Sequence, residues 1–222
     1  MKKWTLILLI LCSGSSFMAK ELSSSRLRQK EKIRCGNLVY AGTRSSVCFA
    51  NKFLSRIETE SNIKSTHHFK DVKLGSKELF TTPFSIMSGE GSFSLSKQER
   101  KNLKLYLQNG GFILSSPNCS NEKWDDAFRR LMKDMFPKNK MKKIPMTHSI
   151  FSLVYKVKTL HLKNGGTASV DGLFIDGRLV MVYSKEGLND VGNAKGCCCC
   201  GGNEIKESQK VNVNVFTYAL LH

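Results

Sequence analysis

The chain has 222 residues, 41% of them apolar and 24% charged, and carries a net charge of +17. That length fits one generous domain or two small ones and can bury a core without help from disulfides. Four prolines and 17 glycines argue against a long disordered tract.

The N-terminus has the layout of a secretory signal. Lys2 and Lys3 precede an unbroken apolar run, Leu6 to Cys12, and small polar residues lead out to Ala19. The run is shorter than the roughly 20 apolar residues a membrane-spanning helix needs. Residues 1–19 are therefore expected to be removed, giving an exported chain, periplasmic or extracellular, with no transmembrane helix. A lipid anchor through Cys12 is the lesser expectation, because Leu11 stands where a small residue is preferred. Residues 20–32 (KELSSSRLRQKEK) read as a polar linker, and residues 33–222 as one domain.

From Ile33 to Ala41 a short apolar run rich in β-formers reads as a buried strand. After GTRSS, residues Val47, Ala50, Phe53, Leu54 and Ile57 recur at helical spacing. Phe69, Val72 and Leu74 suit a second or edge strand. Phe84, Ile86 and Met87 suit another, which stops at Gly89. Ser96 and Glu99 form a capping box for a helix with an apolar stripe at Leu103, Tyr106 and Leu107. Gly110 and Gly111 close that helix, and GFILSSP is the next strand. A helix from about Asn121 carries Trp124, Ala127, Phe128, Leu131, Met132, Met135 and Phe136 on one face, with Pro137 as its stop. Residues 144–160 hold His148 and an apolar run. Asp176-Gly177 between two short apolar runs signals a β-hairpin. The closing segment VNVNVFTYALL suits either a strand or a helix.

Strands alternating with helices imply an α/β layered fold with a mostly parallel sheet and a C-terminal β-hairpin region. Ligands of such sheets bind beyond the carboxyl ends of the strands. Here those ends are Gly42–Arg44, Ser88–Gly91, Ser116–Cys119 and Ser184 onward.

The run from PFSIMSGEG through LSKQERKNLKLYLQNGGFILSSPNCSNEKWDDAFRRLMKDMFP to DGRLVMVYSKEGL and VNVNVFTYAL resembles a bacterial family of unknown function numbered 4159. That family is placed in the class I glutamine-amidotransferase-like superfamily. The resemblance covers nearly everything after Ile33. It implies a flavodoxin-like three-layer sandwich and a helical C-terminal segment. In active amidotransferases a Gly-rich turn supplies oxyanion-hole amides, and a later strand ends in a turn carrying a nucleophilic cysteine. The same order is present here, with Gly89 and Glu90 in the first turn and Cys119 in the second. The sequence departs from the pattern in two ways. Pro117-Asn118-Cys119-Ser120 replaces the glycine-flanked elbow, and the paired His and Glu near the chain end are not recognisable. No catalytic assignment carries over.

Two constellations remain. Cys119 precedes a helix, where the dipole and unpaired amides favour a thiolate, and His148 is a candidate base for it. The alternative is a small residue filling a turn and a histidine that supports the next segment. The second constellation is Cys197, Cys198, Cys199 and Cys200, in a row between glycines. Neighbouring Cα atoms lie about 3.8 Å apart, too close for unstrained disulfides, and alternate side chains of an extended run face opposite ways. The run therefore needs partners from elsewhere. In one reading it binds Zn or Cu(I) together with Cys119, His148, Cys35 or Cys48. In another it forms disulfides with distant cysteines, as export allows. In the third it is buried as small hydrophobes. Glu90, Glu186 and Glu204 read as solvated carboxylates near these places, and His67-His68 as a surface pair.

Removing residues 1–19 takes away two lysines and no acid, so the mature chain stays strongly basic. The expected partner is a protein or an anionic surface polymer. The densest basic run, Lys138 to Lys143, has no interleaved aromatics, which argues against nucleic acid and for a solvated loop. The functional expectation is an exported amidotransferase-like domain without the usual catalytic residues. It would be a binding or assembly module with a metal- or redox-active cysteine cluster. The alternative is a cysteine-dependent hydrolase or transferase using Cys119 and His148.

Overall fold

β3 (Phe84–Met87) and β4 (Phe112–Ser115) are buried at every residue. Strands this apolar need cover on both faces, which is the situation of a parallel sheet flanked by helices. A computed structural model describes residues 32–46, 49, 52–188 and 204–222, and Ile33–His222 form one compact unit. Besides β3 and β4, the strands are β1 (Ile33–Val39), β2 (Ser65–Lys73), β5 (Lys142–Lys143), β6 (Asp171–Ile175) and β7 (Arg178–Tyr183). The described helices are α1 (Lys52–Ser61), α2 (Lys97–Gln108), α3 (Glu122–Met135) and α4 (Ser208–Leu221).

The seven strands form one sheet in the order β2-β1-β3-β4-β7-β6-β5. β2, β1, β3, β4 and β7 run parallel, while β6 and β5 continue the sheet antiparallel. This is the expected α/β sandwich with a mostly parallel sheet, and the β6–β7 hairpin is the expected C-terminal one. Asp176 (φ 50°) and Gly177 (φ 80°) make its turn. Two positive φ angles match the right-handed twist of the flanking strands.

Alternation along the strands divides the core. Phe84, Ile86, Phe112 and Leu114 face α1 and α4, meeting Leu54, Ile57, Val211 and Phe216. Met87, Ile113, Met181 and Tyr183 face α2 and α3, meeting Leu103, Leu107, Trp124 and Phe128. α2 begins with the capping box the sequence announces. Ser96 Oγ accepts from Glu99 N at 3.3 Å and Glu99 Oε2 accepts from Ser96 N at 2.8 Å. The other carboxylate oxygen of Glu99 accepts from Ala41 N at 2.8 Å, tying this cap to the turn after β1.

The ambiguous C-terminal segment is helix α4. It is buried from Val211 to Tyr218, including Asn212 and Asn214, so no polar face breaks the pattern. Those two asparagines anchor irregular backbone. Asn214 accepts from Val154 N (2.9 Å) and Tyr155 N (2.8 Å), and Asn212 donates to Leu188 O (2.9 Å). No described helix is long and apolar enough to cross a membrane.

The α3 side of the sheet is held by stacked rings. Phe128 packs on both Trp124 and Tyr183 with centroids 4.8 Å away, and those two rings are 6.4 Å from each other. Phe128→Ala is expected to cost about 3–5 kcal/mol, read by urea denaturation, because Phe128 is fully buried and its loss leaves a cavity beside two buried rings.

Candidate functional site

The chain leaves β1 for β2 at one edge and returns to β3 on the other side of β1. The crevice beyond the carboxyl ends of β1 and β3 is therefore the topological switch point of the sheet. Three turns meet there, after β1, β3 and β4.

The turn after β1 is closed by Tyr40 N donating to Arg44 O (2.9 Å) and Arg44 N to Tyr40 O (3.1 Å). Ala41 (φ 46°) and Gly42 (φ +92°) both take positive φ in it, at no steric cost for the glycine. Tyr40 then points under the neighbouring turns. Its hydroxyl donates to Ser88 O at 2.8 Å and accepts from Trp124 Nε1 at 2.6 Å. Burial pushes the Tyr40 phenol well above its usual range, against the opposing hydrogen bond from Trp124. Gly89 is required by this contact. A Cβ there would stand 2.4 Å from the Tyr40 oxygen and 2.8 Å from Trp124 Nε1.

The turns after β3 and β4 are locked to each other. Asn118 N donates to Gly89 O at 2.9 Å, and Ser88 Oγ to Asn118 Oδ1 at 2.6 Å. Asn121 Oδ1 accepts from both Gly91 N (3.0 Å) and Trp124 N (3.1 Å), so one amide oxygen caps α3 and holds the β3 turn. Arg44 Nη1 donates to the carbonyl of Glu90, whose own side chain is exposed.

Between these anchors the backbone is strained. Cys119 (φ 48°, ψ 37°) and Ser120 (φ 52°) are consecutive non-glycine residues in the left-handed region. Each costs on the order of 1–2 kcal/mol. Cys119 is half-buried, and the Ser120 hydroxyl oxygen is buried without a hydrogen-bond partner. Beneath them Tyr183 donates to Asp125, Arg129 bonds Asp125 (2.7 Å) and Asp171 (2.9 Å), and its guanidinium lies 4.9 Å from the Tyr183 ring centre.

A family model described as a domain of unknown function, DUF4159, matches residues 39–220. The chain belongs to the DUF4159 family. No curated protein matches it.

The two residues paired in the sequence reading are far apart in this DUF4159 domain. Cys119 lies beyond the carboxyl end of β4. His148 caps the 3₁₀ turn Ser149–Phe151, its Nδ1 accepting from Ile150 N at 3.3 Å. Its ring packs on Tyr218 (5.4 Å) and Phe174 (6.0 Å), and Tyr218 packs on Phe112, the first residue of β4. His148 therefore sits at the amino ends of the strands, on the opposite rim. Burial, then the neighbouring His222, lowers its pKa. The two do not form a nucleophile–base pair.

The Cys197–Cys200 run and Cys48 lie outside the described residues. Among the described residues no group of three or more His, Cys, Asp or Glu side chains is placed to hold a metal. Cys35 belongs to the α1–α4 core, and burial pushes its thiol up to about 12, the behaviour of a small core hydrophobe. Glu186 uses its carbonyl to accept from Ser116 Oγ at 3.0 Å, and Glu204 is buried with Lys163 Nζ at 3.7 Å, so Glu204 is not the solvated carboxylate expected. His67 and His68 are on exposed parts of edge strand β2, with His67 paired to Glu58 at 2.6 Å.

The residues that build the site, Tyr40, Asn118, Asn121 and Trp124, carry no catalytic signature. Asn121 alone has a sequence cue, as the N-cap of a well-patterned helix.

Two substitutions test the strain and the close approach by denaturation. Ser120→Gly is expected to raise stability by about 1 kcal/mol, since it relieves a left-handed residue and removes a buried unpartnered oxygen. Gly89→Ala is expected to cost about 1–3 kcal/mol. Combined with Tyr40→Phe, which removes the nearest clashing atom, it should cost less than the two single losses added together.

Proposed function

We propose that this DUF4159 domain is an exported binding or assembly module of amidotransferase-like architecture rather than a glutaminase. One observation carries the reading. An oxyanion hole needs backbone N–H groups aimed at the reacting atom. Here the Gly91 amide is spent on Asn121 and the Asn118 amide on Gly89, so these donors at the β3 and β4 turns serve the rim itself. An edge whose Gly91 and Asn118 amides hold its own turns, with Arg44 exposed and Cys119 half-buried, supports this reading.

The cysteine run is the second part of the proposal, as a Zn or Cu(I) site or a redox-active thiol centre. The four tandem thiols, flanked by Gly196, Gly201 and Gly202, support this part of the reading. The basic surface suits a partner that is an acidic protein face or an anionic surface polymer.

A second reading, a cysteine-dependent hydrolase or transferase, is favoured by the left-handed Cys119 at a strand-to-helix turn. It requires a base other than His148.

Full-length protein purified under reducing conditions, assayed for ammonia release from glutamine and for bound metal, tests these readings. The expected outcome is no release above that of Cys119→Ser, together with stoichiometric metal or a thiol pair that oxidises reversibly. Cys119-dependent ammonia release would overturn the module in favour of the hydrolase. Absence of metal with all four tandem thiols inert would remove the cysteine centre.

A further inference from the structure

We infer that the switch-point crevice of this domain binds a tetrahedral oxyanion, the phosphate or sulfate group of a larger molecule. The inference rests on the reading of this edge as a binding surface and names the chemistry it takes. A cavity of about 350 Å³ opens there, lined by Ala41, Arg44, Ser92, Phe93 and Ser94.

Its lining offers donors and no acid. Phe93 is turned inward, edge-on to Tyr40 at 5.0 Å and against Trp124 at 5.4 Å. Leu95, two residues on, is buried, while Ser92 and Ser94 are exposed. Both serines line the cavity and are exposed at its mouth. Arg44 completes the set. Its Nη1 is fixed on the Glu90 carbonyl, and among the described residues no carboxylate forms an ion pair with it. The remaining N–H groups of the planar fork suit an oxyanion. A guanidinium and two hydroxyls match a group that accepts from several directions, which phosphate and sulfate do better than a planar carboxylate. The crevice is also where this fold class places its ligands, and the basic excess of the chain raises the local concentration of anions.

The hydrogen bond on Arg44 sets it apart from an unconstrained surface lysine. A lysine on a flexible stem loses rotamer freedom when it binds an anion. A side chain already pinned at one nitrogen has lost part of it beforehand.

The test is a titration of isotope-labelled full-length protein, followed by amide NMR, with inorganic phosphate, inorganic sulfate, acetate and chloride at matched ionic strength. Glycerol phosphate and glucose 6-sulfate serve as the two ester forms. Saturable shifts at residues 41–44 and 91–94 are expected for phosphate or sulfate and not for chloride, with acetate weaker. The ester that binds more tightly identifies the source of the group. Arg44→Gln should weaken binding about tenfold or more, and Arg44→Lys should fall between it and the native chain. Lys133→Gln, an equal loss of charge on α3, should leave the affinity unchanged. The Ser92→Ala/Ser94→Ala pair should weaken binding several-fold and guards against a folding defect in the Arg44 variants. Shifts spread over the surface, equal responses to chloride, or equal affinity in Arg44→Gln would overturn the inference. Cys119-dependent glutamine hydrolysis would overturn the binding-module reading instead, so the two failures are separable.

Discussion

The Tyr40 hydroxyl stands between the Trp124 indole and the Ser88 carbonyl, and the ends of three elements are positioned by it. It joins the end of β1 to the turn after β3 and to the first turn of α3. The net worth of each such hydrogen bond is only about 1 kcal/mol, but leaving a buried donor or acceptor unpaired costs more than making the bond gains. The relay is therefore close to all-or-none. If the phenol moves, an indole N–H and a backbone carbonyl are both stranded in an apolar shell of Phe93, Trp124 and Phe128. Gly89 follows from the same constraint, since no side chain fits beside the phenol. So do the roles of Asn118 and Asn121, which stitch the β4 turn to the one already fixed.

This arrangement determines what the edge can do. The Gly91 and Asn118 amides hold the turns after β3 and β4 to each other and to the cap of α3. The strain at Cys119 and Ser120 is then affordable, because the flanking residues Asn118 and Asn121 are pinned on both sides. The side chains exposed at the rim are Arg44, which also bonds the Glu90 carbonyl, and Ser92 and Ser94. Below the rim, Asp125 links Tyr183 and Arg129, and Arg129 continues to Asp171 on β6. The antiparallel hairpin is thereby joined to α3, and the parallel part of the sheet and its extension form one core on that face.

Much of this fold was legible because its elements carry local signatures. The Ser96–Glu99 box, the seven apolar positions of the α3 helix and the Asp176-Gly177 turn each state a period or a turn type within a few residues. α4 was not legible from periodicity. Val211 to Tyr218 are buried nearly all round, so the helical and strand templates fit equally well, and resemblance alone favoured the helix. The location of the site was legible from the alternation of strands and helices, but its makers were not. Tyr40 and Trp124 lie 84 positions apart and read as ordinary core aromatics. The Cys119–His148 pairing failed for the same reason in reverse. Sequence order places both after β4, while the chain carries His148 back to the amino rim before β6 begins. Spacing along a chain says little about which rim of a sheet a residue will occupy.

The positive charge of the chain acquires a direction from the fold. Most exposed cations of such a surface are mobile side chains, and pairs such as Lys70–Glu78 or Arg56–Glu60 contribute little because solvent screens them. A general excess of this kind draws anions to the molecule without selecting among them. Selection requires donors whose positions are set before the anion arrives. At the switch point that condition follows from the Tyr40 relay. The β3 turn is fixed, so the Glu90 carbonyl is fixed, and Arg44 is held against it. Phe93 is clamped by Tyr40 and Trp124, and Ser92 and Ser94 on either side of it line the same cavity. The buried aromatic contact and the exposed polar crevice are thus two faces of one constraint, and a change to the first should be felt in the second.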